Sequence, residues 1–282
     1  MNSVKLLGII GDPIDHSLSP LMQNAALKQK KLPSLYLPFQ VASSELSRFI
    51  RRARRGNFSG FNVTIPHKET ILPYLDSISP EARQIGAVNT VVVRGGRLKG
   101  FNTDAAGFLR SLTRETRFKP RGKRMMVLGA GGAARAVLWI LARSGAEKIY
   151  LCNRTPSRAG RIVKAFQRAF PKVSIEKIPL KKGLLSELFP ALDLLVNATS
   201  VGLNGTRFKG LPLSRLSKKA IVSDLVPAAT PLLRDARRLG LRTHAGEGML
   251  VEQGALSFEL WTGKKADRQM MREVLCEKMD LL

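Results

Sequence analysis

A glycine-rich turn is the feature of this chain that points most directly to chemistry. It reads Gly129-Ala130-Gly131-Gly132-Ala133, follows an apolar run that ends at Leu128, and leads into a helical pattern that ends at Arg143. A strand, a tight turn and a helix in this order place free backbone N–H groups against a pyrophosphate. The spacing matches G-x-G-x-x-A, so the turn predicts a dinucleotide site, with a purely structural turn as the alternative.

The end of the next apolar run indicates which dinucleotide binds. Asn153, Arg154 and Thr155 follow this run, and Arg158 lies one helical turn later. An NAD site usually carries an acidic residue about 20 residues after the glycines, where it bonds the ribose 2′-hydroxyl. Basic and amide side chains in that place suit a 2′-phosphate, so we predict NADP as the cofactor.

Two serines open the first predicted helix. Ser17 and Ser19 stand just before Pro20, which falls in the first helical turn. Helix capping alone would explain either serine. Two hydroxyl groups beside free helix N–H groups would also suit a carboxylate ligand.

A lysine and an aspartate form a candidate pair for proton transfer. Lys68 follows a short buried strand and Pro66, and Asp104 follows a predicted hairpin near the domain boundary. A surface lysine and a simple helix N-cap are the alternatives. An aspartate beside a lysine in a ligand site would move or hold a proton.

Strand and helix patterns alternate along the chain, which predicts an α/β protein with two domains. We expect a substrate-binding domain with a largely parallel sheet over 1–103, and a Rossmann-like NADP-binding domain over 104–247. The C-terminal helices, within 248–282, are expected to return to the first domain and complete it. The predicted strands are 4–10, 34–40, 60–63, 89–94, 97–101, 124–128, 148–152, 173–177, 192–196 and 220–224. The predicted helices are 18–30, 43–55 with Ser44 as its N-cap, 104–116, 133–143, 156–169, two short ones after 183 and 230, 249–261 and 268–279.

The charge balance raises the hypothesis of nucleic-acid binding. The 282 residues include 47 Lys and Arg but only 21 Asp and Glu, a formal net charge of +26. The cations are spread through nearly every predicted helix, without an aromatic platform or a nucleic-acid motif. We therefore favour a solvated basic surface that binds polyanions only non-specifically.

Other features argue against a membrane span and a metal site. No apolar run approaches ~20 residues, and the N-terminus has no leader-like segment, so we expect a cytoplasmic protein. Cys152 and Cys276 give no disulfide framework, and Cys152 is expected in the core. The three histidines lie far apart without cysteine partners, so we predict no metal.

The motifs, taken together and in order, resemble those of the shikimate dehydrogenase family. The resemblance runs from Lys5 to about Gly263, and a whole series of motifs is far more specific than any one of them. The matching segments are Gly11-Asp12-Pro13, His16-Ser17-Leu18-Ser19-Pro20, Asn62 to Lys68, Gly86-Ala87-Val88-Asn89-Thr90, Asn102-Thr103-Asp104, the glycine-rich turn, Asn153-Arg154-Thr155, Asn197-Ala198-Thr199 and Met249 to Gly254.

The resemblance implies reversible reduction of 3-dehydroshikimate to shikimate by NADPH, a step of aromatic amino-acid and chorismate biosynthesis. It also implies that Lys68 and Asp104 are the catalytic pair, with Lys68 relaying the carbinol proton. The implied substrate ligands are Ser17 and Ser19 for the carboxylate, Asn62, Thr64, Asn89 and Gln253 for the hydroxyl groups, and Asp104 itself.

The resemblance assigns the cofactor to three segments. It implies that Gly129, Ala130, Gly131, Gly132 and Ala133 hold the pyrophosphate. It implies that Asn153, Arg154, Thr155 and Arg158 hold the 2′-phosphate. Leu225 and Gly246 match positions whose backbone meets the nicotinamide end.

One segment departs from the family pattern. After Asp224 the family reads Leu-Val-Tyr-Asn-Pro, two further residues and Thr-Pro. This chain reads Leu225-Val226-Pro227-Ala228-Ala229-Thr230-Pro231, which is two residues shorter and lacks the tyrosine. Because that tyrosine contacts the substrate in the family, its absence bears on substrate affinity and loop closure but leaves hydride transfer intact.

Two alternatives remain open at this point. The first is a quinate/shikimate dehydrogenase paralogue that uses NAD or NADP. The second is a basic nucleic-acid-binding protein on a dehydrogenase scaffold, against which the retention of Lys68 with Asp104 argues. We expect a small-molecule substrate, no specific nucleic acid, no membrane, and a monomer or homodimer.

Overall fold

The fold is known from a computed structural model that describes residues 4–280. The chain divides into two compact units: the first contains the residues up to Gly107 and from Leu250 onward, and the second is Phe108–Met249. Each unit holds a β-sheet with helices, so the predicted two-domain α/β class is confirmed. The predicted division into a substrate domain and an NADP domain, with bounds at 103, 104, 247 and 248, remains a prediction.

The first unit is built on a six-stranded mixed sheet with the order β2-β1-β3-β5-β6-β4. Strand β1 pairs in parallel with β2 and β3, and the hairpin β5–β6 adds the antiparallel pairs. Its elements, numbered in chain order, are β1 (Lys5–Gly11), α1 (Ser19–Gln29), β2 (Ser34–Gln40), α2 (Leu46–Arg55), β3 (Phe58–Val63), α3 (His67–Thr70), β4 (Ser77–Ile78), α4 (Pro80–Ile85), β5 (Thr90–Arg94) and β6 (Arg97–Phe101), with the start of α5 (Asp104–Thr116), most of α10 (Gly246–Thr262) and α11 (Arg268–Asp280).

Both faces of this first sheet are buried. In β1, Leu7 and Ile9 belong to one apolar cluster and Ile10 to another, because successive strand residues point to opposite faces. Residues of α1, α10 and α11 fill the first cluster, and residues of α2 fill the second. The predicted return of the C-terminal helices to the first unit is therefore confirmed.

The second unit is a parallel sheet with the order β12-β11-β10-β7-β8-β9. The chain starts in the middle at β7, moves outward to β9, then crosses to β10 and moves outward the other way, which is the doubly wound nucleotide-binding order. Its elements are β7 (Arg124–Leu128), α6 (Gly132–Arg143), β8 (Lys148–Cys152), α7 (Pro156–Ala169), β9 (Ser174–Ile178), α8 (Lys182–Leu188), β10 (Leu194–Asn197), β11 (Ile221–Asp224), α9 (Pro231–Arg238) and β12 (Arg242–His244).

The order of this sheet fixes where a ligand would sit. Strands β7 and β10 are neighbours, yet the chain leaves them in opposite directions, so a crevice forms beyond their carboxyl ends. The glycine-rich turn follows β7, and Ala198 and Thr199 follow β10. Both segments therefore lie at this switch point.

The sequence patterns miss four short elements and misplace one cap. Helices α3 and α4 and strands β4 and β12 span only two to six residues, too few for a periodic pattern to form. The prediction of Ser44 as a helix N-cap is wrong. Helix α2 is preceded by a 3₁₀ turn over Ser43–Glu45, and Glu45 reaches back to accept a hydrogen bond from the Ala42 N–H at 3.4 Å.

Candidate active site

The structure brings the predicted lysine and aspartate into direct contact. Lys68 Nζ donates a hydrogen bond to Asp104 Oδ2 at 2.6 Å, and the two side chains are only 15% and 5% exposed. Asn89 Nδ2 donates to the other carboxylate oxygen, Oδ1, at 2.8 Å. Both oxygens of Asp104 therefore have a donor, which suits the ionised form of a buried carboxylate.

Local structure explains how the two groups reach this place. Lys68 is the second residue of α3, the short helix that follows the end of β3. Asp104 is the first residue of α5, and the Ala105 N–H donates to Asn102 Oδ1 at 3.2 Å. Because Asn102 accepts the free N–H of Ala105, and the Asp104 carboxylate bonds Lys68 and Asn89 instead, capping does not account for the position of this carboxylate.

Asn89 is the centre of a buried polar cluster around this pair. Its Nδ2 also lies 2.8 Å from Thr103 Oγ1 and 3.2 Å from Gln253 Oε1. Its Oδ1 accepts a hydrogen bond from the Thr103 N–H at 2.7 Å. Two predicted substrate ligands, Asn89 and Gln253, are thus in contact with each other beside Asp104.

Asn62, another predicted substrate ligand, is buried and occupied by protein partners. Its Oδ1 accepts a hydrogen bond from the Tyr36 hydroxyl at 2.7 Å. Its Nδ2 donates towards Asn89 O, Thr90 Oγ1 and Ser257 Oγ at 3.0 to 3.1 Å. Both polar atoms of the Asn62 amide have protein partners in this structure, and its Oδ1, which accepts one hydrogen bond, can accept a second.

The two serines at the start of α1 differ in their surroundings. Ser17 is partly exposed, and its Oγ accepts a hydrogen bond from the Ser19 N–H at 3.3 Å. Ser19 is buried and is hydrogen-bonded to the Tyr36 hydroxyl. Burial raises the pKa of Tyr36 well above its ordinary value, and the Ser19 hydrogen bond offsets part of this rise. Thr64 is half-buried just after β3, and its backbone N–H donates to Ile10 O at 2.9 Å.

The glycine-rich turn has the features that a pyrophosphate requires. Gly129 has φ +112°, and a Cβ there would stand 2.9 Å from Ala198 O, so only glycine is accommodated. Gly131 is the N-cap of α6, and a Cβ there would meet no atom within 4 Å, which leaves open space above the turn. The first turn of α6 carries no acidic residue, so its free N–H groups favour an anion.

The predicted 2′-phosphate segment follows β8. Asn153 Nδ2 donates to Thr155 O at 3.0 Å, and Thr155 is the N-cap of α7. Arg154, the residue after Asn153, is exposed, and so is Arg158, which lies in the first turn of α7. Cys152, at the end of β8, is buried as expected, and burial raises the pKa of its thiol to about 11.

The shortened segment after β11 is tightly held. Asp224 accepts hydrogen bonds from Asn197 Nδ2 at 2.9 Å, the Val226 N–H at 3.1 Å and Thr230 Oγ1 at 2.7 Å. Burial raises the pKa of Asp224, and these three bonds offset part of the rise. A Cβ at Gly246 would lie 2.4 Å from Leu225 O, so the two predicted nicotinamide positions are in close backbone contact.

Four residues of the polar cluster were not singled out by the sequence: Tyr36, Thr90, Thr103 and Ser257. Thr90 and Thr103 stand inside matched motifs, and Ser257 lies one helical turn after Gln253, so a weak signal existed for these three. Tyr36 has no such signal, because an aromatic residue is ordinary in a β-strand. Among residues 4–280 there is no group of three potential metal-ligating side chains and no helix long and apolar enough to span a membrane.

Family models match three parts of the chain. The shikimate dehydrogenase substrate-binding domain matches residues 9–91, the shikimate/quinate 5-dehydrogenase model matches 112–205, and the shikimate 5′-dehydrogenase C-terminal domain matches 246–276. These segments contain most of the residues described above.

Relatives match over nearly the whole length. The shikimate dehydrogenase (NADP(+)) of Geobacter metallireducens is 48% identical, covering 95% of this chain and 94% of the relative. The shikimate 5-dehydrogenase of Thermus thermophilus, solved with NADP(H) and shikimate, is 39% identical, with a TM-score of 0.85 and coverage of 97% and 99%. The Corynebacterium glutamicum quinate dehydrogenase, solved with NAD, is 31% identical, with a TM-score of 0.88 and coverage of 98% and 100%. With motifs, fold and near-complete alignment in agreement, the chain belongs to the shikimate dehydrogenase family.

Proposed function

We propose that this protein is an NADP-dependent oxidoreductase that interconverts 3-dehydroshikimate and shikimate in chorismate and aromatic amino-acid biosynthesis. The observation that carries the proposal is the Lys68–Asp104 contact of 2.6 Å inside a cluster of amides and hydroxyls. Reduction of a ketone needs a hydride on the carbon and a proton on the oxygen, and this pair supplies the proton.

Lys68 is the group that exchanges the proton with the substrate. In the reducing direction its ammonium gives a proton to the carbonyl oxygen as the carbon is reduced, and in the oxidising direction its amine takes the carbinol proton back. Asp104 holds the ammonium in place through Oδ2, while Asn89 fixes Oδ1. The carboxylate therefore keeps a constant orientation through the cycle.

The substrate carries a carboxylate and several hydroxyl groups, and the first unit offers matching donors and acceptors. We assign the carboxylate to Ser17 and Ser19, and the ring hydroxyls to Thr64, Asn89, Gln253 and Asp104. Asn62 is assigned to the ring hydroxyls as well, since its Oδ1 can accept a second hydrogen bond beside that of the Tyr36 hydroxyl.

NADP supplies the hydride in one direction and accepts it in the other. The N–H groups of residues 129–133 would hold its pyrophosphate, and Leu225 and Gly246 its nicotinamide end. Asn153, Thr155 and the exposed guanidinium groups of Arg154 and Arg158 would hold the 2′-phosphate, for which a planar bidentate donor is well suited. A cytoplasmic location and a monomeric or dimeric state remain predictions from the sequence.

Steady-state rates at 340 nm test the proposal. The purified chain is assayed with shikimate or quinate, each with NADP or NAD, over a range of both concentrations. We expect the largest kcat/KM for shikimate with NADP. A larger kcat/KM for quinate with NAD would contradict the proposal and identify the protein as the quinate-type paralogue.

A further inference from the structure

A continuous chain of hydrogen bonds joins the two ends of the polar cluster in the first unit. It runs from the Tyr36 hydroxyl to Asn62 Oδ1 (2.7 Å), from Asn62 Nδ2 to Ser257 Oγ (3.1 Å), between Ser257 Oγ and Thr90 Oγ1 (2.8 Å), and from Thr90 Oγ1 to Asn89 Oδ1 (3.1 Å). From Asn89 Nδ2 it reaches Asp104 Oδ1 at 2.8 Å. Apart from Asn89 and Asp104, these residues have no role in the proton transfer described above.

Counting protons gives the part of this chain from Asn62 through Thr90 to Asn89 a direction. Each hydroxyl has one proton to donate, and the Asn62 and Asn89 amides each donate only through nitrogen. The single proton of Ser257 has two acceptors in reach, Gln253 O at 3.0 Å and Thr90 Oγ1 at 2.8 Å, so Ser257 does not set the direction. Asn62 Nδ2 can only donate and lies 3.1 Å from Thr90 Oγ1, so Thr90 receives a hydrogen bond from Asn62 and can give its own proton to Asn89 Oδ1. Hydrogen bonds aligned in this way polarise and strengthen one another.

The last link, together with the N–H and hydroxyl of Thr103, holds the Asn89 amide in one orientation. Its two ends are similar in shape, so the amide could rotate by half a turn and present its oxygen to Asp104. A carbonyl oxygen against a carboxylate would be repulsive, and Asp104 would lose a donor. Thr90 Oγ1 and the Thr103 N–H, both donating to Oδ1, hold the nitrogen towards Asp104.

We infer that Thr90, supported by Ser257, is a positioning residue that locks the Asn89 amide so that it donates to the catalytic carboxylate. The inference rests on the proposed function. Thr90 and Ser257 are both fully buried, so they act on the substrate only through other residues. Their contribution should therefore appear in turnover more than in cofactor affinity.

Matched substitutions at Thr90 test this role. Thr90→Val keeps the shape and removes the hydroxyl, whereas Thr90→Ser keeps the hydroxyl and removes a methyl group. For Thr90→Val we expect kcat with shikimate and NADP to fall by about 5- to 30-fold, the scale of a lost buried hydrogen bond, with KM for NADP within about twofold of wild type. For Thr90→Ser we expect kcat within about threefold of wild type.

Two controls separate positioning from general loss of stability. Thr116→Val removes another buried threonine hydroxyl, one that bonds Leu112 O at 2.6 Å in the second unit, and should lower Tm without changing kcat. Ser257→Ala removes the hydroxyl that lies 2.8 Å from Thr90 Oγ1 and should lower kcat in the same direction. Combined with Thr90→Val it should add little, because both changes break one connected network.

The outcomes distinguish the inference from the proposed function. A wild-type protein without shikimate turnover would overturn both. An active wild type whose Thr90→Val variant keeps its kcat, or whose Thr90→Ser variant is equally impaired, would overturn the inference alone. If Thr90→Val does not fold, the kcat of Ser257→Ala decides: an unchanged value refutes the positioning role, and a lowered one supports it.

Discussion

At the scale of single residues, the site depends on one ion pair that is nearly closed to solvent. A carboxylate removed from water is tolerated when its oxygens have hydrogen-bond donors, and here Lys68 and Asn89 donate to the two oxygens of Asp104. A buried ion pair adds little net stability, because the cost of removing both charges from water offsets much of their attraction. A role in proton transfer explains the burial of this pair better than a role in stability does.

Removal of the lysine should therefore damage turnover far more than binding. For Lys68→Ala we expect kcat to fall by about 10²–10⁴-fold with a modest change in KM for shikimate, the scale of a lost general acid–base group. The measurement is steady-state kinetics at saturating NADP. Lys123→Ala serves as the control because Lys123 also pairs with an aspartate, Asp193, at 3.0 Å, but outside the site. Undiminished turnover in Lys68→Ala would remove this lysine from the mechanism.

Cofactor choice also belongs to single side chains. For Arg154→Ala we expect the KM for NADPH to rise by about tenfold or more and the KM for NADH to change little, because only the 2′-phosphate loses a charged partner. Arg168→Ala, in the last turn of the helix that follows, is the matched control and should leave both values unchanged. Equal losses with the two cofactors would show that Arg154 does not recognise the phosphate.

At the scale of elements, the sequence predicts those parts of the fold whose patterns are long or chemically marked. The strand, glycine turn and helix around Gly129 are predicted well because positive φ and close approach to Ala198 admit only glycine there. Helix α4 and strand β12 are missed because they are too short for their burial pattern to repeat. Their positions depend on contacts with distant segments.

The site likewise contains residues that the sequence predicts and residues that it does not. Lys68, Asp104 and Asn89 have side chains whose chemistry draws attention, and their motifs are recognisable. Thr90, Ser257 and Tyr36 have types that are ordinary in buried strands and helices. Their roles become visible only when β3, β5 and α10 bring them into one hydrogen-bonded chain.

A buried histidine links elements within the second unit. His244 in β12 bonds Ser223 Oγ of β11 through Nδ1 at 2.9 Å and Ser111 Oγ of α5 through Nε2 at 2.7 Å. Glu115 Oε2 lies 3.7 Å from Nε2. Burial lowers the pKa of His244 from 6.5 to about 4, so the folded protein holds a neutral ring near neutral pH.

This shift predicts a loss of stability in mild acid. The unfolded chain takes up a proton at His244 near pH 6.5 and the folded chain only near pH 4, so the stabilisation is complete above pH 6.5 and is lost as pH falls towards 4. The full effect is on the order of 3 kcal/mol. We expect urea unfolding at pH 5 and 7.5 to show a smaller pH difference in His244→Gln than in wild type. His16→Gln, at an exposed histidine, is the control. An equal pH difference in all three proteins would exclude His244 as the cause.

At the scale of the whole molecule, the charge balance is the property that the proposed reaction does not explain. Binding of NADP requires only a few of the 47 Lys and Arg side chains. The described ion pairs are mostly exposed and contribute little individually. Most of the excess Lys and Arg side chains therefore face solvent and repel one another in the folded state.

That repulsion leads to a prediction about salt. A net charge of +26 destabilises the folded chain most when screening is weak, and the screening length falls from about 30 Å at 0.01 M to about 8 Å at 0.15 M ionic strength. We expect Tm, measured by circular dichroism, to rise by several degrees between 0.01 and 0.15 M NaCl. Sodium sulfate at matched ionic strength separates general screening, which gives the same rise, from specific anion binding, which gives a larger one. A Tm that falls or stays constant over this range would mean that the cations are already balanced by local partners, and the picture of a self-repelling surface would be wrong.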